Sequence, residues 1–265
     1  MAENNVRHIM GLSGGKDSTA LALYLKDKVP DIEYFFCDTH KELPETYAYL
    51  RKLEIILGKK IAFLESERGF DHWLSVFGGF LPSPQSRWCT RQLKIIPLEK
   101  FVGEDDAISY IAIRADEDRA GYISTKPNIK AVFPFMKEGF LKRDIFNIIE
   151  ESGIGMPDYY RWRSRSGCYF CFFQRKIEWV RLSEIHPDLF EKAVKYEQKH
   201  IDGRKYFWSQ EESLLELIDR KDQIIAEHQR VMKLKKKVLP NRPLIEVFDS
   251  AFDDETQDFC FVCNL

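Results

Sequence analysis

The stretch Ser13-Gly14-Gly15-Lys16-Asp17-Ser18 follows the apolar run Ile9-Met10-Gly11-Leu12 and opens directly into Thr19-Ala20-Leu21-Ala22-Leu23-Tyr24-Leu25. That order predicts a strand, a glycine turn and the first turn of a helix. Glycines let the backbone approach an anion closely, and the N–H groups of a helix's first turn point at it, backed by the positive end of the helix dipole. Lys16 adds a mobile positive charge, and Ser13 and Ser18 bring hydroxyls that can reach phosphate oxygens. The spacing is not that of a Walker P-loop: Asp17 stands where Ser or Thr would follow the lysine, and the first glycine is at the wrong distance. A phosphate site serving a different nucleotide chemistry is expected.

Outward from this loop the first half of the chain alternates strand and helix signals, the pattern of a mainly parallel sheet covered on both faces. Strands are predicted at Arg7–Leu12, Glu33–Asp38, Lys60–Leu64, Ile108–Ile113 and Lys130–Phe133, giving a Rossmann-like, doubly wound, five-stranded α/β fold. Helices are predicted at Asp17–Lys26, at Glu45–Leu57 after Pro44, and at Lys142–Ser152, closed by Gly153. Beyond Gly153 strand signals nearly vanish and helices are expected at Arg175–Ile185, Pro187–His200 and Gln210–Leu234. The chain therefore divides into a nucleotide-binding α/β domain, 1–153, and a cysteine-bearing helical region, 154–265. The Gly, Pro and Ser-rich segment Gly78–Ser86 is expected to lie over the site.

A length of 265 residues suits such a domain with a smaller appended unit. No stretch approaches the roughly 18 consecutive apolar residues of a membrane span, and Met1-Ala2-Glu3-Asn4-Asn5 lacks signal-peptide character, so a cytoplasmic protein is expected. The formal net charge of −2 gives no global attraction to nucleic acid. Local patches remain. Arg161, Arg163, Arg165, Arg175, Lys176 and Arg181, interleaved with aromatic residues, suit phosphates and unstacked bases, whereas Lys233-Leu234-Lys235-Lys236-Lys237 is read as a solvated helix end.

In an open parallel sheet the ligand crevice lies outside the carboxyl ends of the strands. Those ends carry the glycine loop, Asp38-Thr39-His40, and Arg114-Ala115-Asp116-Glu117-Asp118-Arg119. Asp38 and Thr39 can accept from a ribose or adenine group, or help hold a metal. Arg114, and after it Arg119, suit bidentate phosphate contact. Asp17, Asp116 and Glu117 are hard oxygen donors of the kind Mg²⁺ takes beside nucleotide phosphates.

Six cysteines form the second signal. Cys168-Tyr169-Phe170-Cys171 and Cys260-Phe261-Val262-Cys263 are CxxC pairs, Cys89 stands alone, and Cys37 lies in a predicted strand as an apolar filler. In a cytoplasmic enzyme this spacing indicates a metal or redox site. Cys168 and Cys171 lead as ligands, Cys89 follows, and the fourth comes from the terminal pair, Cys260 ahead of Cys263. Four thiolates fit zinc or an iron–sulfur cluster equally well.

Taken together, Ser13–Ser18, Cys37-Asp38-Thr39, Arg87-Trp88-Cys89-Thr90 with Leu93-Lys94, Ile113-Arg114-Ala115-Asp116-Glu117 and Gly167-Cys168-Tyr169-Phe170-Cys171 resemble the phosphoadenosine-phosphosulfate (PAPS) reductase-like family of PP-loop ATP pyrophosphatases, over about positions 7 to 200. The resemblance implies an adenine nucleotide alpha hydrolase-like fold. True PAPS reductases have an eroded loop and a terminal Glu-Cys-Gly nucleophile; here the loop is intact and that motif is missing. The chain is most similar to the ATP-pyrophosphatase component of DNA phosphorothioation systems. That likeness implies cleavage of ATP to AMP and pyrophosphate with Mg²⁺, adenylation of an acceptor, and sulfur transfer with a cysteine desulfurase partner. It implies catalytic roles for Lys16, Asp17 and Arg114, with ATP held by Ser13, Gly14, Gly15, Lys16, Asp17, Ser18, Asp38, Thr39, Arg114, Asp116 and Arg119. It further implies a [4Fe-4S] cluster on Cys89, Cys168, Cys171 and Cys260 or Cys263, with Zn²⁺ as the alternative. Nucleic acid is the expected acceptor, DNA ahead of tRNA. A reductase releasing sulfite, a tRNA-thiolating enzyme and a non-catalytic nucleotide-sensing scaffold are the other readings.

Overall fold

A computed structural model describes residues 6–118, 125–197, 205–209 and 211–238. Five strands, β1 (Arg7–Gly11), β2 (Glu33–Asp38), β3 (Ile61–Glu65), β4 (Ala107–Tyr110) and β5 (Ile129–Val132), form one sheet in the order β3-β2-β1-β4-β5. Every pairing is parallel. The order reverses direction on either side of β1, so the loop leaving β1 lies at the switch point where α/β sheets bind ligands.

Alternation along the strands sorts the core. Met10, Leu12, Tyr34 and Phe36 face one layer, where they meet α1 (Lys16–Leu25), α2 (Pro44–Leu57) and α7 (Lys142–Ser152). Ile9, Phe35 and Cys37 face the other, where they meet Leu98 and Val102 of α5 (Ile96–Val102). Burying each such apolar side chain is worth about 1.5–3 kcal/mol, and two apolar faces leave the sheet no stable alternative to helices on both sides. The parallel, doubly wound sheet expected from the sequence is the one observed. Cys37, 2% exposed, packs as an apolar residue, and burial pushes its thiol up to about 12.

The boundaries differ in instructive places. The fourth strand stops at Tyr110, after which Ile111–Arg114 leaves the ladder with the N–H of Ile111 still on the carbonyl of Val132. Short helices α3 (Phe70–Val76) and α6 (Pro134–Glu138) flank the sheet. A three-residue helix α4 (Trp88–Thr90) runs through a π-helical turn, Arg91–Ile95, into α5. Pro97 accounts for that turn: it lacks the N–H that would bond the carbonyl of Leu93, and its ring crowds that carbonyl.

Beyond α7 the described elements are helical: a 3₁₀ turn at Asp158–Arg161, α8 (Lys176–Ile185), α9 (Pro187–Tyr196), α10 (Leu214–Asp219) and α11 (Lys221–Val238). The single helix expected over Gln210–Leu234 is two, because Ser213 caps α10 through the N–H of Glu216 and the chain leaves helical geometry at Arg220. A third apolar cluster unites these helices, through Trp179, Trp208 and Leu214, with Leu43, Phe70, Leu81, Trp88 and Leu93 from before Gly153. Among the described residues no helix is long and apolar enough to cross a membrane.

Candidate functional site

Two neighbouring groups of side chains occupy the carboxyl edge of the sheet. The first is the glycine loop. Gly14 has φ +71, and a Cβ there would lie 2.8 Å from Cγ2 of Thr46 in α2; a Cβ on Gly15 would lie 2.9 Å from Oγ of Ser166. A side chain at Gly14 would be strained by the left-handed backbone and crowded by Thr46, and one at Gly15 would force the Ser166 hydroxyl to shift. Ser18 Oγ donates to the carbonyl of Gly15 at 3.1 Å and accepts from the N–H of Ser13 at 3.2 Å. The helical region holds the loop from outside: the Tyr159 hydroxyl donates to the carbonyl of Gly14 at 2.7 Å, and the N–H of Lys16 donates to Tyr160 Oη at 3.2 Å.

A chain of charges leads away from it. Lys16 Nζ lies 2.8 Å from Asp17 Oδ2, and Arg114 Nη1 lies 2.8 Å from Asp17 Oδ1. Arg114 also reaches Asp116 at 2.9 Å and Glu117 at 2.8 Å. Burial works against the Asp17 charge, but Lys16 and Arg114 outweigh it and hold the carboxyl well below the usual range. Burial likewise opposes the Arg114 charge, and Asp17 and Glu117 more than restore it. Lys16, Asp17, Arg114 and Asp116, far apart in the sequence as two pairs, thus form one network. Its two cations gather around the first turn of α1, where an anionic group would be met.

The second group surrounds a cavity of about 40 Å³ lined by Cys89, Cys168 and Cys171, with Thr39, Lys94 and Pro82 among the other walls. Pro82 belongs to the loop expected over the site. The π-helical turn brings Cys89 and Lys94, five residues apart, to the same cavity. The Cys168–Cys171 turn is fixed by backbone: the N–H of Cys171 donates to the carbonyl of Cys168 at 3.0 Å, and that of Tyr169 to the carbonyl of Lys41 at 2.7 Å. Arg163 donates to the carbonyls of Gly167 at 3.1 Å and Cys168 at 2.8 Å. It is fully buried, so this member of the basic stretch is internal, whereas Arg161 has a side chain 84% exposed. Burial pushes the Cys89 thiol up to about 12 and holds that of Cys168 well above its ordinary value. Burial opposes the charge of Lys94, but Glu42 and the thiols of Cys168, Cys37 and Cys171 together lift its pKa.

The two residues at the end of β2 part company. Asp38 accepts from the Tyr47 hydroxyl at 2.7 Å and the N–H of His40 at 2.8 Å. Thr39, expected beside the adenosine, turns its hydroxyl onto Glu42 at 2.8 Å and lies 3.2 Å from the sulfur of Cys168. Asp38 also belongs to a group the sequence reading missed: His40, at φ +56, stands between Asp38 (3.6 Å) and Glu65 (3.3 Å). The signal available for it is the register that pairs Asp38 with Glu65. Arg119, Cys260 and Cys263 lie outside the described residues.

A five-stranded parallel sheet, helices on both faces and a glycine loop at the switch point define an α/β protein of the doubly wound class. Residues 7–161 match the phosphoadenosine phosphosulfate reductase domain, and the chain belongs to that family. Two uncharacterized proteins of Methanocaldococcus jannaschii are 30% and 26% identical to it, over 74% and 87% of this chain. The matches cover 43% and 54% of those relatives, so the chain spans about half their length. An uncharacterized 37.8 kDa protein of Escherichia phage 186 is 25% identical over 74% of this chain and 76% of its own. Among solved structures, PAPS reductase from Candida auris in a phosphate complex aligns with a TM-score of 0.48 and 13% identity, over 61% of this chain and 81% of its own. The U34-tRNA thiolase NcsA from Methanococcus maripaludis, with its [4Fe-4S] cluster, aligns with a TM-score of 0.43 and 16% identity, over 73% and 71%.

Proposed function

We propose that the protein is an ATP pyrophosphatase that adenylates a nucleic-acid acceptor for sulfur transfer, DNA phosphorothioation being the reading favoured over tRNA thiolation. One observation carries it: the phosphate loop and the cysteine turn abut, Ser166 lying against Gly15 two residues before Cys168. Nucleotide activation and soft-metal chemistry then share one crevice.

An acceptor oxygen attacks the α-phosphorus of ATP, the bond to the β-phosphate oxygen breaks, and pyrophosphate leaves. The backbone and hydroxyls of Ser13–Ser18 hold the departing pyrophosphate, while Lys16 and Arg114, kept in position by Asp17, neutralise the charge that develops on it. Asp116 and Glu117, both paired with Arg114, would supply oxygen donors to Mg²⁺, whose charge would screen the phosphates. Sulfur at the sulfide level, taken from the persulfide of a cysteine desulfurase with a thiol as reductant, then displaces AMP from the acceptor.

Cys89, Cys168 and Cys171 would hold a [4Fe-4S] cluster, which supplies a soft iron site for sulfur; their convergence on one small cavity fits that group. Zinc suits the same thiols. The intact loop weighs against a sulfite-releasing reductase. Incubation of the anaerobically purified protein with ATP and Mg²⁺ tests the reading. AMP and pyrophosphate are expected, with radiolabelled sulfur from cysteine entering DNA when desulfurase is added. ADP and orthophosphate, or sulfite from PAPS with no ATP cleavage, would overturn it.

A further inference from the structure

We infer that Glu42 is the fourth ligand of the cysteine metal centre, an oxygen donor that completes a set of three thiolates; the inference rests on the metal-centre reading above. Glu42 lies in the segment that leads from β2 into α2 and is 7% exposed. Its Oε1 accepts from the Thr39 hydroxyl at 2.8 Å and lies 3.7 Å from the sulfur of Cys168. Its Oε2 is inaccessible to solvent and has no hydrogen-bond partner among the described residues.

What sets Glu42 apart is an orphan oxygen on a carboxyl group whose other oxygen lies beside a cavity cysteine. Leaving one oxygen of a buried carboxylate without a partner is costly, and most buried polar atoms in folded proteins are paired. Two other buried carboxylates are held by cations: Asp17 by Lys16 and Arg114, and Glu178 by the guanidinium of Arg175 at 3.0 Å, with the N–H of Ser164 at 2.8 Å. Among the described residues Glu42 has no such cation in contact. Lys94 acts on it electrostatically and lines the cavity, as does Thr39, the residue that orients it. A positively charged centre among the thiols would satisfy the free oxygen and explain why an acid is buried there. Three sulfurs and one oxygen suit either a cluster whose fourth iron takes a carboxylate or a tetrahedral zinc ion. On this account the centre is complete without Cys260 or Cys263.

Anaerobic reconstitution of the full-length protein with ferrous iron and sulfide tests the assignment through iron and acid-labile sulfide content and EPR. The wild type is expected to keep its four-iron cluster under one-electron oxidation by ferricyanide. Glu42→Gln, with its fourth iron unprotected, is expected to lose that iron and give the three-iron signal. Glu42→Cys, which returns an anionic ligand to the position, is expected to restore resistance, and this separates ligation from misfolding. The assignment is overturned if Glu42→Gln matches the wild type, if Glu42→Cys behaves as Glu42→Gln, or if the Cys260→Ser/Cys263→Ser variant is the one that loses iron. A wild type that takes up neither iron nor zinc removes the metal centre itself. A wild type that takes up zinc alone removes only the cluster; absorption-edge spectroscopy should then find three sulfurs and one oxygen on the zinc, becoming three sulfurs with an exogenous ligand in Glu42→Gln. Four sulfurs in the wild type would again overturn it.

Discussion

The hydroxyl of Tyr159 donates to the carbonyl oxygen of Gly14 at 2.7 Å, so a residue 145 positions further along the chain fixes the apex of the phosphate loop. Tyr159 is fully buried. Tyr159→Phe keeps the ring and removes the donor, leaving that carbonyl short of a partner, and should cost about 1–3 kcal/mol of stability. Urea denaturation checks the stability, and a nucleotide titration should show weaker ATP binding than in the wild type. Unchanged values for both would mean that the contact does not hold the loop.

Gly14→Ala combines two separable penalties. A left-handed backbone costs a non-glycine residue about 1–2 kcal/mol, and the added Cβ meets Thr46 Cγ2 at 2.8 Å. Thr46→Ser deletes that methyl and keeps the hydroxyl. The double variant should therefore recover the steric part and retain a loss of about 1 kcal/mol. A double variant no more stable than Gly14→Ala would show that the methyl is not the obstacle.

Arg114 is the only described cation that reaches Asp17, Asp116 and Glu117 together. Arg114→Met strands buried carboxylates and should cost about 3–5 kcal/mol. Arg114→Lys keeps the charge but not the fork of donors, so it should recover only part of the stability and little of the AMP formation. Thermal denaturation alongside product analysis separates the two effects. Full activity in Arg114→Lys would show that charge alone suffices.

The parts legible in the sequence are those whose cause is local. The glycine loop, the strand alternation and the CxxC turn each declare themselves within a few residues. The parts that were not legible depend on distant partners. Glu42 stands in Lys41-Glu42-Leu43 like an ordinary loop charge, and its burial arises only when Thr39 and Cys168 close around it. Arg163 reads as one more cation in a basic stretch, yet it is spent on two carbonyls inside the protein. The shared face of Cys89 and Lys94 depends on a π-helical turn, which apolar periodicity at 3.6 residues does not reveal. His40 meets Glu65 only because β2 and β3 pair in one particular register.

Glu178 links the cysteine turn to pH. It is fully buried and accepts from the N–H of Ser164 and from Arg175. Burial opposes its charge, but Arg175, Arg163 and the Ser164 N–H outweigh burial and hold its pKa below the ordinary 4.5. A carboxyl with a depressed folded pKa contributes its full stability above the unfolded value and loses it as pH falls through the folded one. Glu178→Gln should therefore cost about 3 kcal/mol near neutral pH, and the gap to wild type should narrow as pH drops below 4.5. Because Arg163 also holds the carbonyls of Gly167 and Cys168, the same variant should loosen metal retention at the turn. Denaturation curves across that pH window, with metal content measured on the same samples, check both effects. A gap that stays constant with pH would show that the lost interaction is steric and not electrostatic.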